Sequence, residues 1–380
     1  MSFLRSKMSK KIKYIINFAM SLFILPFFYI EKKITGKKIW LCGAGNGYYE
    51  NNIASIHDYI FKSLPLAKNK IFFVTTNREL LSGDVAFPVL IRGHLKTYAL
   101  SILADYLIFD TCNSDIAPGI HRYLSALKVN VNHGFEGLKK LPEDYYAKID
   151  ADIHCASSMR EKYIKVFECG AANEKVFITG YPRFDRIVSR ENSHVKKILF
   201  FPTWRSWLES LSNDELNNST YVRSIYDFLY SERLKEYLSE NNIIMYYKPH
   251  HKISHLKLDL SSCKNIILLK DYDDLTHYIC ESDLLITDYS SVAWDFLYSN
   301  REVIFYIFDI DEYILKQGLY YDVRTSLRNY GGTPDEIINL LKKERKEVDL
   351  NLSSMAGEFF EYRDNKNSER ILKLICEYKI

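Results

Sequence analysis

A chain of 380 residues, 47% hydrophobic and 26% charged, is globular and long enough for two α/β domains of ordinary size. A net charge of +3, with no aromatic-plus-basic RNA signature, excludes nucleic acid as the expected partner. Seven cysteines scattered singly, odd in number and without a CxxC pair, argue against structural zinc and a disulfide framework and fit a reducing compartment.

The N-terminus is basic, with Arg5, Lys7, Lys10, Lys11 and Lys13. An apolar run from Tyr14 to Ile30 follows, interrupted by Asn17, Ser21 and Pro26, and Lys32, Lys33, Lys37 and Lys38 close it. As a helix this run is roughly 25 Å long, short of the ~30 Å hydrocarbon core. Residues 1–38 are therefore read as a segment that lies on the anionic cytoplasmic face of the plasma membrane, peripherally, with lysines reaching the headgroups. A core helix and a single spanning anchor are the alternatives.

Strands and helices then alternate. Ile39-Trp40-Leu41-Cys42 is a strand entering Gly43-Ala44-Gly45-Asn46-Gly47, a turn that lacks the glycine spacing of the dinucleotide fingerprint. Ile71–Thr75, Val89–Ile91, Tyr106–Phe109, Val129–Val131, Ile153–Ala156 and Val176–Thr179 read as further strands. Helices are expected near Leu95–Ala104 and Arg122–Leu127, and from a Ser157 cap to Phe167. The polar stretch Arg186–His194 reads as a linker. A second series starts with the strand Ile198–Phe201. One long helix over Tyr221–Leu238 follows, then strands at Ile243–Tyr247, Ile266–Leu269, Leu284–Thr287 and Val303–Phe308. Thr333-Pro334-Asp335-Glu336 is a helix start, and a last helix over Asn367–Tyr378 is expected to pack back on the first domain. The expected organisation is thus residues 1–38, a first domain 39–190, a second domain 191–345 and C-terminal helices 346–380. The fold class is α/β: two facing doubly wound, Rossmann-like domains with a cleft between them.

Four polar motifs fall just past strand ends, the ligand edge of such sheets: Asn132-His133-Gly134, Pro202-Thr203-Trp204-Arg205, Lys248-Pro249-His250-His251 and Thr287-Asp288-Tyr289-Ser290-Ser291. Gly134 lets a substrate approach the backbone. Arg205 offers a planar fork for phosphate, Lys248 a point charge, and His250 a donor or general acid. Ser290 or Ser291 is placed to cap a helix whose N-terminus suits a phosphate. Taken singly, each has a plainer reading: a satisfied histidine, a surface ion pair, a turn aspartate. Together they favour a phosphorylated or nucleotide ligand. No DxD, HExxH or acidic loop pair is present, so no protein-bound metal or cofactor is expected, and any Mg²⁺ stimulation would come through substrate charge.

From Ile39 to Leu341 the chain resembles the CDP-glycerol glycerophosphotransferase family, the teichoic-acid primase and polymerase group. The resemblance rests on Asn132-His133-Gly134-Phe135-Glu136-Gly137-Leu138-Lys139-Lys140, Gly180-Tyr181-Pro182-Arg183-Phe184-Asp185, Pro202-Thr203-Trp204-Arg205, Lys248-Pro249-His250 and Thr287-Asp288-Tyr289-Ser290-Ser291 with Asp295-Phe296. Gly318-Leu319-Tyr320-Tyr321-Asp322 is similar to a weaker late motif. The resemblance implies a GT-B fold and transfer of a polyol phosphate from a CDP-polyol to a hydroxyl on a lipid-linked or polymeric glycan acceptor, with release of CMP. It implies His133 and His250 as the catalytic pair. The candidate substrate-binding set is Gly134, Thr203, Arg205, Lys248, Thr287, Asp288, Ser290 and Ser291. Asn132 and Phe135 depart from the family's usual neighbours of the first histidine, which implies altered donor or acceptor choice, and His251 replaces a common proline. A nucleotide-sugar glycosyltransferase of the same fold and a non-catalytic polymer-binding scaffold are the competing readings. A homo-oligomer is compatible with all three.

Overall fold

Short apolar runs of the first half pair as a wholly parallel sheet in the computed structural model. The structure describes residues 2–343 and 357–378 apart from 84, 188–193, 251, 254–255, 257, 262, 271–272, 274, 322 and 327–328. The seven strands are β1 (Lys38–Gly43), β2 (Asn69–Thr75), β3 (Val89–Ile91), β4 (Tyr106–Phe109), β5 (Leu127–Asn130), β6 (Ile153–Ala156) and β7 (Val176–Ile178). Their order is β3-β2-β1-β4-β5-β6-β7, so the direction of winding reverses between β1 and β4. A second parallel sheet contains β8 (Lys197–Phe201), β9 (Ile244–Tyr247), β10 (Ile266–Leu268), β11 (Leu284–Thr287), β12 (Glu302–Tyr306) and β13 (Tyr330–Gly331). Its order is β10-β9-β8-β11-β12-β13, with the reversal between β8 and β11. Strands such as β4, β6 and β11 are apolar along most of their length because helices or loops cover both sheet faces, as parallel sheets require.

The chain divides into two units. One comprises Met1–His133, Pro142–Arg186 and Phe360–Ile380, the other Gly134–Leu141 and Ile187–Phe359. The N-terminal segment therefore belongs to the first unit, and the eight residues after His133 to the second. Most of the expected linker, and His251, lie outside the described residues.

Three expectations need correction. The long helix over Tyr221–Leu238 is two helices, Thr220–Leu229 and Glu232–Glu240, because Ser231 caps the second by accepting from the Leu234 N–H. The helix expected at Arg122–Leu127 is a single turn at His121–Tyr123, and Leu127 already opens β5. Ser158 rather than Ser157 caps the helix after β6; the Ser157 N–H instead donates to Glu161 Oε2 at 2.6 Å.

The N-terminal helix α1 (Ser2–Thr35) runs unbroken through Pro26. Packing on both sides of the proline outweighs the one lost hydrogen bond. Tyr14, Phe18 and Phe28 on one face pack against the first unit's core. Asn17 Nδ2 donates to the Gly93 carbonyl at 2.8 Å, and Lys32 Nζ pairs with Asp105 at 2.8 Å. The opposite face carries Ile12, Ile16, Met20, Phe23, Phe27, Ile30 and Ile34 at helical spacing, each at least half exposed, with Phe23 at 87%. Lys11–Thr35 is long and apolar enough to cross a membrane by length and composition. Its inner face is occupied by protein from Tyr14 to Lys32.

Candidate active site

The two sheets share a local construction at their points of reversal. In the first unit Asp110 is the residue immediately after β4, and its Oδ1 accepts the Gly45 N–H, two residues past β1, at 2.8 Å. In the second unit Asp288 is the residue immediately after β11, and its Oδ1 accepts the Thr203 N–H, two residues past β8, at 2.8 Å. Each aspartate ties the two divergent strand ends together, and each has a second oxygen left for other use.

In the first unit that oxygen faces His133. Asp110 is buried, Asp110 Oδ2 lies 3.3 Å from His133 Nδ1, and the histidine side chain is 56% exposed. The carboxylate fixes the proton on Nδ1 and leaves Nε2 free to accept one. The hydrogen bond to Asp110 raises the His133 pKa above its ordinary value; burial opposes this and the Asp110 charge reinforces it. The carbonyl of His133 accepts from Arg183 Nη1 at 3.1 Å. Sequence reading missed Asp110. The signal was available: it stands one residue past a strand, as Asp288 does.

The backbone before His133 turns through Asn132 at φ +62°. This left-handed conformation suits asparagine and disfavours a large side chain. Asn132 Nδ2 donates to the Tyr181 hydroxyl, and its Oδ1 accepts from the Tyr146 hydroxyl, both at 3.2 Å. The fully buried Lys165 ammonium donates to Tyr146 Oη at 2.7 Å, and Tyr181 donates to Glu161 Oε1 at 2.5 Å. Asn132 thus fits the backbone turn and a buried hydrogen-bond network. Phe135 is equally structural: it packs on Trp294 and Phe359, with ring centroids 4.7 and 5.7 Å away. A side chain at Gly137 would collide with the Trp294 ring at 2.3 Å, so close packing requires that glycine. The Tyr320 N–H donates to the Leu138 carbonyl at 2.8 Å and the Lys140 N–H to the Gly318 carbonyl at 3.1 Å, so the late motif is the partner of the segment after His133. Its Asp322 is outside the described residues.

In the second unit the free oxygen of Asp288 faces Arg205 Nη1 at 2.8 Å. Asp309, three residues past β12, takes the other side of the fork, with Nε to Oδ2 at 2.7 Å and Nη2 to Oδ1 at 2.9 Å. Nη1 also donates to the Thr203 carbonyl at 2.6 Å. The guanidinium is 1% exposed and lies against the rings of Tyr221, Tyr289, Phe308 and Tyr313, 4.9–5.3 Å from their centroids. Burial pulls its pKa down, but Asp288 and Asp309 outweigh burial and hold it above the ordinary arginine value. The surplus negative charge is met by the N–H groups of Thr203 and Tyr289 and the Tyr289 hydroxyl.

Four residues of the expected substrate-binding set have partners inside the unit. Arg205 Nε, Nη1 and Nη2 are each engaged there. Asp288 faces Arg205 and backbone N–H groups. Thr287 is fully buried and donates to the Phe201 carbonyl at 2.5 Å, locking β11 to β8. The Lys248 ammonium is 8% exposed and donates to the carbonyls of Lys270 and Asp273. Ser291 makes no side-chain cap, whereas Ser290 Oγ accepts the Val292 N–H at 3.2 Å. Gly134 belongs to the second unit, where a side chain on it would meet the Ser291 hydroxyl at 3.1 Å. His250 is half-buried and stacks on Trp204, with centroids 5.6 Å apart and planes at 15°. Thr203 Oγ1 is buried without a hydrogen-bond partner among the described residues.

The Gly180-Tyr181-Pro182-Arg183-Phe184-Asp185 motif is a brace. Asp185 accepts N–H groups of Asn367 and Ser368 at 2.8 and 2.7 Å and so caps the last helix, Asn367–Glu377, on the first unit.

Two parallel Rossmann-like units, each with its polar residues gathered past strand ends, define a GT-B transferase fold. A family model described as CDP-glycerol:poly(glycerophosphate) glycerophosphotransferase matches residues 24–377, and the chain belongs to that family. It is 28% identical over 220 residues to the minor teichoic acid biosynthesis protein GgaB of Bacillus subtilis, covering 54% of this chain and 24% of that protein. It is 27% identical over 248 residues to a teichoic acid poly(ribitol-phosphate) polymerase of Bacillus spizizenii, covering 60% of this chain and 37% of that one. The chain therefore spans well under half the length of these two relatives. The wall teichoic acid polymerase TagF has the same fold, with a TM-score of 0.69 at 20% identity over 90% of this chain and 88% of that structure.

Proposed function

We propose that the protein transfers a polyol phosphate from a CDP-polyol to a hydroxyl of a lipid-linked or growing cell-surface polymer and releases CMP. The observation that carries this reading is the Asp110–His133 pair, an exposed imidazole oriented by a buried carboxylate. His133 Nε2 takes the proton of the acceptor hydroxyl. The acceptor oxygen bonds to the phosphorus that bears the polyol, and the bond from that phosphorus to the bridging oxygen of the pyrophosphate breaks. CMP leaves with the electron pair, and His250 meets the charge that develops on it. Ser290, Ser291, Thr203 and the backbone at Gly134 are the remaining donor contacts. Support for the donor comes from the family and from a histidine variant of TagF soaked with CDPG, which shares this fold with a TM-score of 0.69.

The bare stripe on α1 supports a peripheral position on an anionic bilayer, at its cytoplasmic face. From Ile12 to Ile34 it runs about 33 Å along one side of the helix, while the other side is held by protein. Incubating the purified chain with CDP-glycerol, CDP-ribitol or UDP-sugars tests the chemistry. CMP release from a CDP-polyol is expected. UDP release alone would replace this reading with a glycosyltransferase, and no release from any donor would leave a binding scaffold.

A further inference from the structure

The first unit has a polar cavity at the opposite edge of its sheet from His133. It holds about 560 Å³ and is lined by Lys32, Lys33, Lys37 and Lys38 with a single carboxylate, Asp105. Its floor is the start of β1, β4 and β5, at Lys38, Tyr106 and Leu127. Asp110, in contrast, stands past the other end of β4, roughly a strand length of 13 Å away. Asp105 is shared by Lys32 at 2.8 Å and Lys38 at 3.2 Å, so among the described lining residues the positive charges exceed the negative by three. Among the described residues neither Lys33 nor Lys37 has a carboxylate partner; Lys33 lies over the Tyr29 ring, and Lys37 donates to the Leu66 carbonyl.

We infer that this cavity binds the phosphodiester headgroup of an anionic glycerophospholipid, an inference that rests on the peripheral attachment proposed above. Three observations carry it. The charge is complementary to a phosphodiester and lines a concavity. The volume exceeds what a bare phosphate fills, so a polyol-bearing headgroup fits. The rim is α1 itself: Lys33 sits between Ile30 and Ile34 in sequence, and Phe27, Ile30 and Ile34 are 56–80% exposed beside it. A lipid whose headgroup enters the cavity would lay its acyl chains along that stripe.

The test uses the full chain and flotation with phosphatidylcholine vesicles, with and without phosphatidylglycerol. Lys33→Ala/Lys37→Ala should lose about thirtyfold in affinity for the anionic vesicles, from two lysines near the surface. It should bind neutral vesicles as the unaltered chain does. Lys11→Ala/Lys13→Ala, on the same helix but away from the cavity, should lose several-fold less; equal losses would mean diffuse surface attraction and overturn the site. Soluble dihexanoyl phosphatidylglycerol, below its micelle concentration, should compete with the vesicles, and inorganic phosphate should not. Equal competition by inorganic phosphate, or stronger competition by free poly(glycerol phosphate), would overturn the lipid assignment. Phe23→Ser/Phe27→Ser should abolish flotation on both vesicles. If that variant floats normally, peripheral attachment through the stripe fails, while competition by the soluble lipid still reports on the cavity. Far-ultraviolet circular dichroism confirms that each variant is folded.

Discussion

Asp110 and Asp288 occupy the same place in two sheets and have opposite fates. Each follows the strand at which the winding reverses, and each accepts one N–H from the loop two residues past the neighbouring strand. The parallel extends one strand further: His133 is three residues past β5, and Asp309 is three residues past β12. At the first edge the neighbour is an imidazole that reaches solvent, so a buried carboxylate is coupled to an exposed group that can move a proton. At the second edge the neighbour is a carboxylate, and Arg205 stands between two acids under four rings. There the charges satisfy one another and hold the loop that carries Ser290 and Ser291. One framework holds an exposed imidazole on one side and a closed charge cluster on the other. The deciding variable is whether the group beyond the aspartate is exposed.

That contrast can be broken from either side. The largest effect is expected at the first edge: His133→Ala should lower turnover about 10²–10⁴-fold with little change in donor affinity. Steady-state kinetics on a variant with an unchanged unfolding midpoint check this, and near-normal turnover would remove the proton-transfer role. Arg205→Ala should act through stability, costing about 3–5 kcal/mol because Asp288 and Asp309 are left buried without their cation. Denaturant unfolding measures it. Arg205→Lys should not restore it, since a point charge cannot serve both acids with the geometry of a fork.

Asp110→Asn sharpens the comparison through pH. His133 must be neutral to accept a proton, and Asp110 holds its pKa above 6.5. Turnover of the unaltered chain should therefore fall as pH drops through a midpoint above that value. With Asp110→Asn the imidazole loses that hold. The acid limb should move to lower pH while maximal turnover drops about 10²-fold through loss of the fixed tautomer. An acid limb that stays in place would assign it to another group. The smallest effect is expected from Trp204→Leu, which removes the surface on which His250 stacks; turnover should fall a few-fold with stability nearly intact.

The sequence carried the strands well because parallel strands are apolar on both faces and are bounded by turn residues. It also carried the positions of the four polar motifs just past strand ends. What it could not carry was burial. Arg205, Lys248, Thr287 and Asp288 have the chemistry of ligands, and only the fold shows their hydrogen bonds already engaged inside the unit. Asp110 was missed for the converse reason: a lone aspartate after Phe109 gains meaning only when β5 brings His133 beside it. The break at Ser231 was a serine that could cap or could sit mid-helix, and local sequence did not decide which. The correspondence of Asp110 with Asp288 is one of position, and no internal repeat in the residues announces it.

The brace at Asp185 bears on how the protein is made. The first unit is assembled from residues far apart in the chain, and its last helix follows the second unit in sequence. Gly180, at φ +72°, is shaped to accept the Asn367 side chain, and both Asp185 oxygens wait for N–H groups nearly two hundred residues downstream. The second unit, largely contiguous, has all of its strands before then. Synthesis and folding therefore run in different orders: the half that is translated first is the half that is completed last.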